Sequence, residues 1–269
     1  MRKILTLCLL LVCLCGCAAG TQRPQYDRPV IALLDTGIST AAIDSAALLP
    51  GHNYVTDTAD TEDRMNHGTA VASVILGCAS ADVEGLAADV CLVVPLVVAD
   101  ADGSVPPETL AQAIRDSIDR YGADIVNISL GIRQDHDALR EAVAYAEKCG
   151  VLVVSAVGNE GDSDALYYPA AYETVLAVGS HDKHLRVSDF TQRSGAADLL
   201  APGEDIWLAS ANGKTYGARG TSYATGYVSA AAARLWHAQP ELDAAALRRA
   251  LLDSAATADG WRILNLDSP

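Results

Sequence analysis

Ser222 lies in the stretch 217–226, Gly-Ala-Arg-Gly-Thr-Ser-Tyr-Ala-Thr-Gly, where a glycine turn opens into an alanine-rich run from Ala224 to His237. A serine at such a junction sits in the first turn of a helix, where unpaired N–H groups and the positive end of the helix dipole face any reacting atom. That setting suits a nucleophile whose product is an oxyanion. Taken alone, Thr221 or Ser222 could simply cap the helix. Two earlier stretches favour chemistry. Residues 30–39 are a β-branched and leucine run ending in Asp35-Thr36-Gly37, and residues 66–77 put His67 at the start of another helix. A further stretch, 155–161, ends a strand with Asn159, whose amide can donate to an oxyanion. A nucleophile, a base, a carboxylate to orient the base and an oxyanion donor are the parts that acyl transfer needs.

Aspartate, histidine and serine follow one another here in one of three unrelated chain orders known for such a triad, the subtilisin order. The four segments together resemble the subtilisin-like serine proteases, the subtilases, over about Pro29 to Leu266. The resemblance implies that Ser222 attacks the scissile carbonyl and that His67 takes its proton. Asp35 would fix the imidazole, and Asn159 with the Ser222 N–H would hold the oxyanion. It also implies that Ser129, Leu130 and Gly131 pair with an extended peptide, with Gly103, Ser104 and Val105 on its other side. Ser129 to Gly131 and Ala156, Val157 and Gly158 would wall the primary specificity pocket, with Tyr168-Pro169 near its base and that bond often cis in the family. Small walls predict a roomy, mostly apolar slot. Either Asp162 or Asp164 reaching into it would select lysine or arginine.

The elements that must hold these residues alternate along the chain. Apolar runs at 30–35, 52–55, 91–98, 124–130, 151–157 and 174–180 read as strands, and 68–77, 107–120, 136–149, 223–237 and 241–254 read as helices. Continuous apolar strands separated by helices predict an α/β fold, a mainly parallel sheet with helices on both faces. With the resemblance this becomes the three-layer subtilisin-like fold. In such sheets the site lies at the carboxyl ends of the strands, where Asp35, Leu130 and Asn159 fall. Residues 187–203 resemble the family's strand pair leading to an Ala-Pro-Gly turn, and 260–269 read as a terminal strand. No internal repeat or second domain is evident.

Arg2 and Lys3 precede an apolar run from Ile4 to about Cys15, too short to span a bilayer and suited to a signal-peptide core. Residues 14–20 resemble a bacterial lipoprotein signal in which Cys17 becomes the lipid-bearing residue; cleavage as an ordinary signal near Ala18 or Ala19 is the alternative. The reading is therefore a signal at 1–17, a linker at 18–28 and a peptidase domain at 29–269, exported and anchored to a membrane through Cys17. The short linker leaves no room for the propeptide that most secreted members carry. Cys78, Cys91 and Cys149 remain, an odd number without zinc spacing. A Cys78–Cys91 bridge or three free thiols are both open.

The net charge of −15 argues against a nucleic-acid partner, which calls for a basic face. The expected partners are a peptide or protein substrate and a membrane, with the enzyme a monomer. Residues 57–66 read as a solvated acidic loop or as an attractor of basic substrate residues. No cofactor is expected. The helix after His67 is read as running on without the inserted loop that holds a tight calcium ion in secreted subtilisins. His52, His136, His181, His184 and His237 lie outside any motif. Family members usually read Gly-Thr-Ser-Met-Ala-x-Pro-His after the turn, and here Tyr223, Gly226 and Tyr227 replace the methionine, proline and histidine. Gly226 should loosen the segment that positions Ser222 and relieve crowding beside it. That keeps three alternatives to an endopeptidase: a non-catalytic peptide-binding relative, a transpeptidase or ligase, and an esterase, which the extended groove disfavours.

Overall fold

A computed structural model of the protein describes residues 24–99, 103–195 and 197–266. The signal segment, Cys17 and the first part of the linker lie outside the described residues. From Pro24 on, the stretch read as a linker lies against the domain: a Cβ on Gly122 would sit 2.3 Å from the Pro24 carbonyl oxygen.

Nine strands form one sheet in the order β10-β11-β7-β6-β5-β4-β1-β3-β2. Every neighbouring pair is parallel except the terminal hairpin of β10 (Ala256–Ala258) and β11 (Trp261–Ile263). The centre is β1 (Val30–Asp35), flanked by β3 (Leu92–Val97) and β4 (Ile125–Ile128). The chain leaves β1 to build β2 (His52–Asn53) and β3 on one side, then crosses to β4 on the other. Beside β1 the order of winding therefore reverses, and such a switch opens a crevice at the carboxyl ends of the strands. Beyond β4 follow β5 (Leu152–Ala156), β6 (Leu176–His181) and β7 (Leu199–Pro202). A separate antiparallel hairpin joins β8 (Ile206–Ala209) and β9 (Thr215–Ala218).

Alternation along β1 shows why its residues up to Leu34 are all apolar. Ile31 and Leu33 join one core, while Val30, Ala32 and Leu34 join the other, and all are buried. The first core lies under α1 (His67–Leu76), α4 (Thr221–Ala238) and α5 (Ala244–Asp253). The second lies under α2 (Pro107–Asp119) and α3 (Asp137–Lys148). This is the three-layer arrangement expected. Each fully buried leucine, isoleucine or valine contributes about 1.5–3 kcal/mol, so the two cores outweigh the surface ion pairs, which contribute little.

The six strands read between 30 and 180 fall within two residues of the expected bounds, with β4 and β5 ending earlier, at Ile128 and Ala156; the terminal strand is shorter than expected, and β8, β9 and β10 have no counterpart in the sequence reading. Among the described residues of 187–203 only 199–202 form a strand; Val187 makes a single bridge to His181. Cys78 and Cys91 are both buried and both free, so the bridge does not form. Burial pushes the Cys91 thiol up to about 12. The helix α1 ends within one residue of its expected bound. Gly77, at φ 80°, ends it, and a loop follows in which Cys78 bridges Val83 around a single turn at Ala79–Ala81. Among the described residues no three His, Cys, Asp or Glu side chains converge on one point. No helix among them is long and apolar enough to cross a membrane.

The helix α4 is buried along most of its length and is built largely of alanine, serine, threonine and glycine. Small side chains let it pass through the first core at close range. Gly226 shows this best, and it corrects the sequence reading. It does not open space beside Ser222 but faces α1, where a Cβ would meet Val71 Cγ1 at 3.2 Å and Val74 Cβ at 3.4 Å. It sets the separation between the two helices that carry His67 and Ser222. Gly226→Leu is expected to lower stability by about 1–3 kcal/mol through overpacking, measured as a drop in the denaturant midpoint at unchanged slope.

Candidate active site

Asp35 ends β1 fully buried. Its Oδ1 accepts the Thr36 N–H at 2.7 Å and lies 2.7 Å from Nδ1 of His67. A carboxylate can only accept, so Nδ1 carries the proton and Nε2 presents its lone pair. The second oxygen, Oδ2, is buried without a partner among the described residues. A buried charge is costly unless compensated, and here the compensation comes through His67.

So close an approach of α1 to β1 needs glycine at its second position. A Cβ on Gly68 would stand 2.2 Å from the Gly37 carbonyl oxygen and 3.1 Å from Asp35 Oδ1. The entry to α1 is fixed by Asp63, a residue that the sequence reading left within a solvated or substrate-attracting loop. Asp63 is buried. It accepts from Thr36 Oγ1, from the N–H groups of Met65, Asn66 and Thr69, and from Thr69 Oγ1, all at 2.6–3.0 Å. It thus satisfies N–H groups that the first turn of a helix leaves without partners. Asp57, Asp60 and Glu62 of the same loop are exposed. The signal for Asp63 was its place just ahead of a helix with no other cap: the Asn66 side chain makes no capping bond.

Burial alone would pull the His67 imidazole below its ordinary value. The charge and hydrogen bond of Asp35, with the charge of Asp63, outweigh that and leave it raised. The Tyr223 ring lies beside the imidazole, ring centres 5.8 Å apart, so this departure from the family pattern packs against the base.

Ser222 is in the first turn of α4, as expected. A buried polar chain ties it to β4: Ser229 Oγ donates to Asn127, Asn127 to Ser129 Oγ, and Ser129 Oγ to the Ser222 carbonyl. The Ser222 hydroxyl donates to the Ser129 carbonyl at 3.0 Å, and no hydrogen bond joins it to His67. To react, it must turn from that carbonyl to Nε2. Asn159 is oriented by Thr221, whose N–H and hydroxyl both reach its Oδ1, at 2.9 and 3.0 Å. That leaves Nδ2 as the donor available to an oxyanion.

Ser222 and Asn159 share a cavity of about 310 Å³ with Ser129, Leu130, Gly131, Ala156 and Gly158. Gly103, Ser104 and Val105, expected along the other side of an extended peptide and not in the pocket, do not line it, and Val105 is packed in the second core. Val157 turns into a small cluster with Ala170 and Ala177 because alternate residues of a strand face opposite ways. Glu160, Tyr167 and Thr221 line the cavity and were not foreseen. Tyr168 and Pro169, expected near the base, are not among the lining residues, and the Tyr168–Pro169 bond is cis as expected. Asp162 pairs with Arg193, Asp164 is exposed, and neither lines the cavity. A larger cavity of about 700 Å³ lies between α3, α5 and the amino end of β5 and holds none of the site residues.

The chain is similar to known proteins in sequence and in fold. The sequence profile of the Subtilase family (peptidase S8) matches residues 27–266. The chain is 37% identical over 261 residues to the major intracellular serine protease of Bacillus subtilis (strain 168), covering 89% of this chain and 81% of that one. A cold-adapted subtilisin-like serine proteinase superposes with a TM-score of 0.80 at 27% identity, over 90% of each chain. The patellamide maturation protease PatA superposes with a TM-score of 0.75 at 32% identity, over 88% of this chain and 94% of that one.

The Asp35–His67 contact makes a prediction that needs no substrate. In an NMR titration, the His67 imidazole of the intact protein should deprotonate above the ordinary value of about 6.5. In Asp35→Asn the midpoint should fall, since burial then acts with less opposition. An unmoved midpoint would break the proposed coupling.

Proposed function

The chain belongs to the subtilase family and is a subtilisin-like serine endopeptidase, and we propose that Asp35, His67 and Ser222 carry its chemistry. Ser222 attacks the scissile carbonyl as Nε2 of His67 takes its proton, which gives a tetrahedral oxyanion and an imidazolium. Asp35 stabilises that imidazolium and keeps the tautomer in which Nε2 is the base. Nδ2 of Asn159 and the Ser222 N–H donate to the oxyanion. The imidazolium then protonates the leaving amine, and water, deprotonated by the same nitrogen, releases the acyl group from Ser222. No step calls for a cofactor. The observation that carries the reading is the 2.7 Å contact of His67 with buried Asp35, on a helix packed against the one that presents Ser222.

The raised imidazole gives the pH dependence its sign. Only neutral His67 can accept a proton, so kcat/KM rises with pH through the His67 midpoint, which stands above the usual histidine value. Peptide binding along Ser129, Leu130 and Gly131, with Gly103 to Val105 opposite, belongs to the same proposal. So do export and attachment to a membrane through a lipid on Cys17. Support for these is the basic pair Arg2-Lys3 ahead of the apolar run 4–15, and Cys17 behind it. Several acyl chains there would hold the enzyme firmly, at about 0.8 kcal/mol per buried methylene.

The residues that suggested the rival readings favour them less in the fold, while the likeness to the patellamide maturation protease PatA fits the transfer reading somewhat. A non-catalytic relative was suggested by a loosened start to α4, yet α4 is helical from Thr221. Transfer to an amine instead of water was suggested by room at Gly226, and Gly226 faces α1.

Ser222→Ala is expected to abolish peptide hydrolysis and labelling by a fluorophosphonate probe while leaving the circular-dichroism spectrum unchanged. Asn159→Ala should lower turnover by about 10²–10³-fold with KM little changed. Hydrolysis by Ser222→Ala at the parent rate would refute the assignment.

A further inference from the structure

Tyr167 lines the same cavity as Ser222 and Asn159. The two glycines that let it in, Gly131 and Gly158, stand on the opposing walls. A Cβ on Gly158 would meet the Tyr167 ring at 2.7 and 2.9 Å, and one on Gly131 would meet Tyr167 Cβ and Cδ1 at 3.3 Å. The ring therefore spans the gap between the walls at van der Waals contact with both. Any side chain on either glycine would have to displace it.

The ring is also held in place. Ile132 and Tyr168 exchange two backbone hydrogen bonds, at 2.9 and 2.8 Å, which tie the segment after Tyr167 to one wall. The Arg133 guanidinium lies 5.7 Å from the ring centre and is ion-paired with Glu160. The Glu160 carboxylate also accepts from Ser163 Oγ at 3.2 Å. Burial above all raises the titration of the Tyr167 phenol, with Glu160 and Arg133 close enough to act on it. Among the described residues Glu160 is the one acid lining the pocket, and Arg133 offsets its charge.

From this arrangement we propose that Tyr167 is the specificity-determining floor of the pocket, and that the enzyme selects substrates with a small, uncharged side chain (glycine, alanine or serine) before the scissile bond. This corrects the expectation of a roomy slot, and it rests on the endopeptidase reading above. The walls supply little besides backbone, and the floor is an aromatic ring bounded by Gly131 and Gly158 with the Arg133–Glu160 pair beside it. A phenylalanyl or leucyl side chain would have to push that ring out against Arg133 and Glu160. A lysyl or arginyl side chain would find a carboxylate already paired.

The test compares peptides that differ only at that position, alanine against phenylalanine, in two readouts. One is kcat/KM of the active enzyme. The other is the Kd of the same peptides for Ser222→Ala, which reports pocket size without chemistry. The parent enzyme should favour alanine by about tenfold or more, the scale of discrimination that a few methylenes give in a pocket. Tyr167→Gly should shift the ratio toward phenylalanine by a similar factor. Tyr167→Phe, which keeps the ring and the fold, should retain the alanine preference. Equal or better use of phenylalanine by the parent, or an unchanged ratio in Tyr167→Gly, would overturn the proposal. If the Kd values discriminate while the active protein cleaves nothing, the floor stands and the endopeptidase mechanism fails.

Discussion

One buried carboxylate governs the arrangement of the whole site. Asp35 is carried to the end of the central strand, out of reach of water, where an uncompensated charge would be very costly. Its answer is a proton on His67 Nδ1, and this requires the first turn of α1 to touch the end of β1. Gly68 makes that touch possible by bringing its backbone against the Gly37 carbonyl, and Gly37 in turn admits the loop at Thr61 and Asp63. Asp63 then secures the loop and the helix start. A second carboxylate, itself buried, thereby holds the base from the other side and adds to the field that favours its charged form.

The nucleophile arrives by a different device. A helix that crosses the first core needs small residues on nearly every face, and α4 has them. Close packing fixes its axis, Gly226 fixes its distance from α1, and the chain from Ser229 through Asn127 and Ser129 fixes its register on β4. A fully satisfied buried polar chain specifies one arrangement where an apolar surface would tolerate sliding. Neither helix carries the site by itself. The site exists because both are pressed onto the carboxyl ends of adjacent strands at the point where the winding of the sheet reverses.

The recognition surface uses the same glycines to another end. Gly131 and Gly158 are the walls of a pocket and also the space into which Tyr167 fits. Substrate selection therefore depends on a side chain some distance along the sequence from either wall. The ion pair that pins this side chain sits at the surface, so the floor can be altered without disturbing either core.

Most of the strands, the helices, the parallel sheet and the four candidate site residues were legible in the sequence, because each is written in local terms. Apolar runs of strand length, helical stretches between them and a Gly-Thr-Ser turn ahead of an alanine-rich helix need no distant partner to be read. Asp63 was not legible, since an acid in an acidic loop looks solvated until the helix start folds over it. Gly226 was misread because only the packing of α4 on α1 tells which way its missing side chain would point. Val157 and Tyr167 exchanged roles for a similar reason: strand alternation turns the first away from the cavity, and a backbone bridge to Ile132 brings the neighbourhood of the second across it. The sequence by itself determined which groups could react and in which elements they lie. Only the tertiary structure decided which of them meet, and how deep a pocket stands beside them, because contacts between distant segments are set by packing and by the compensation of buried charge.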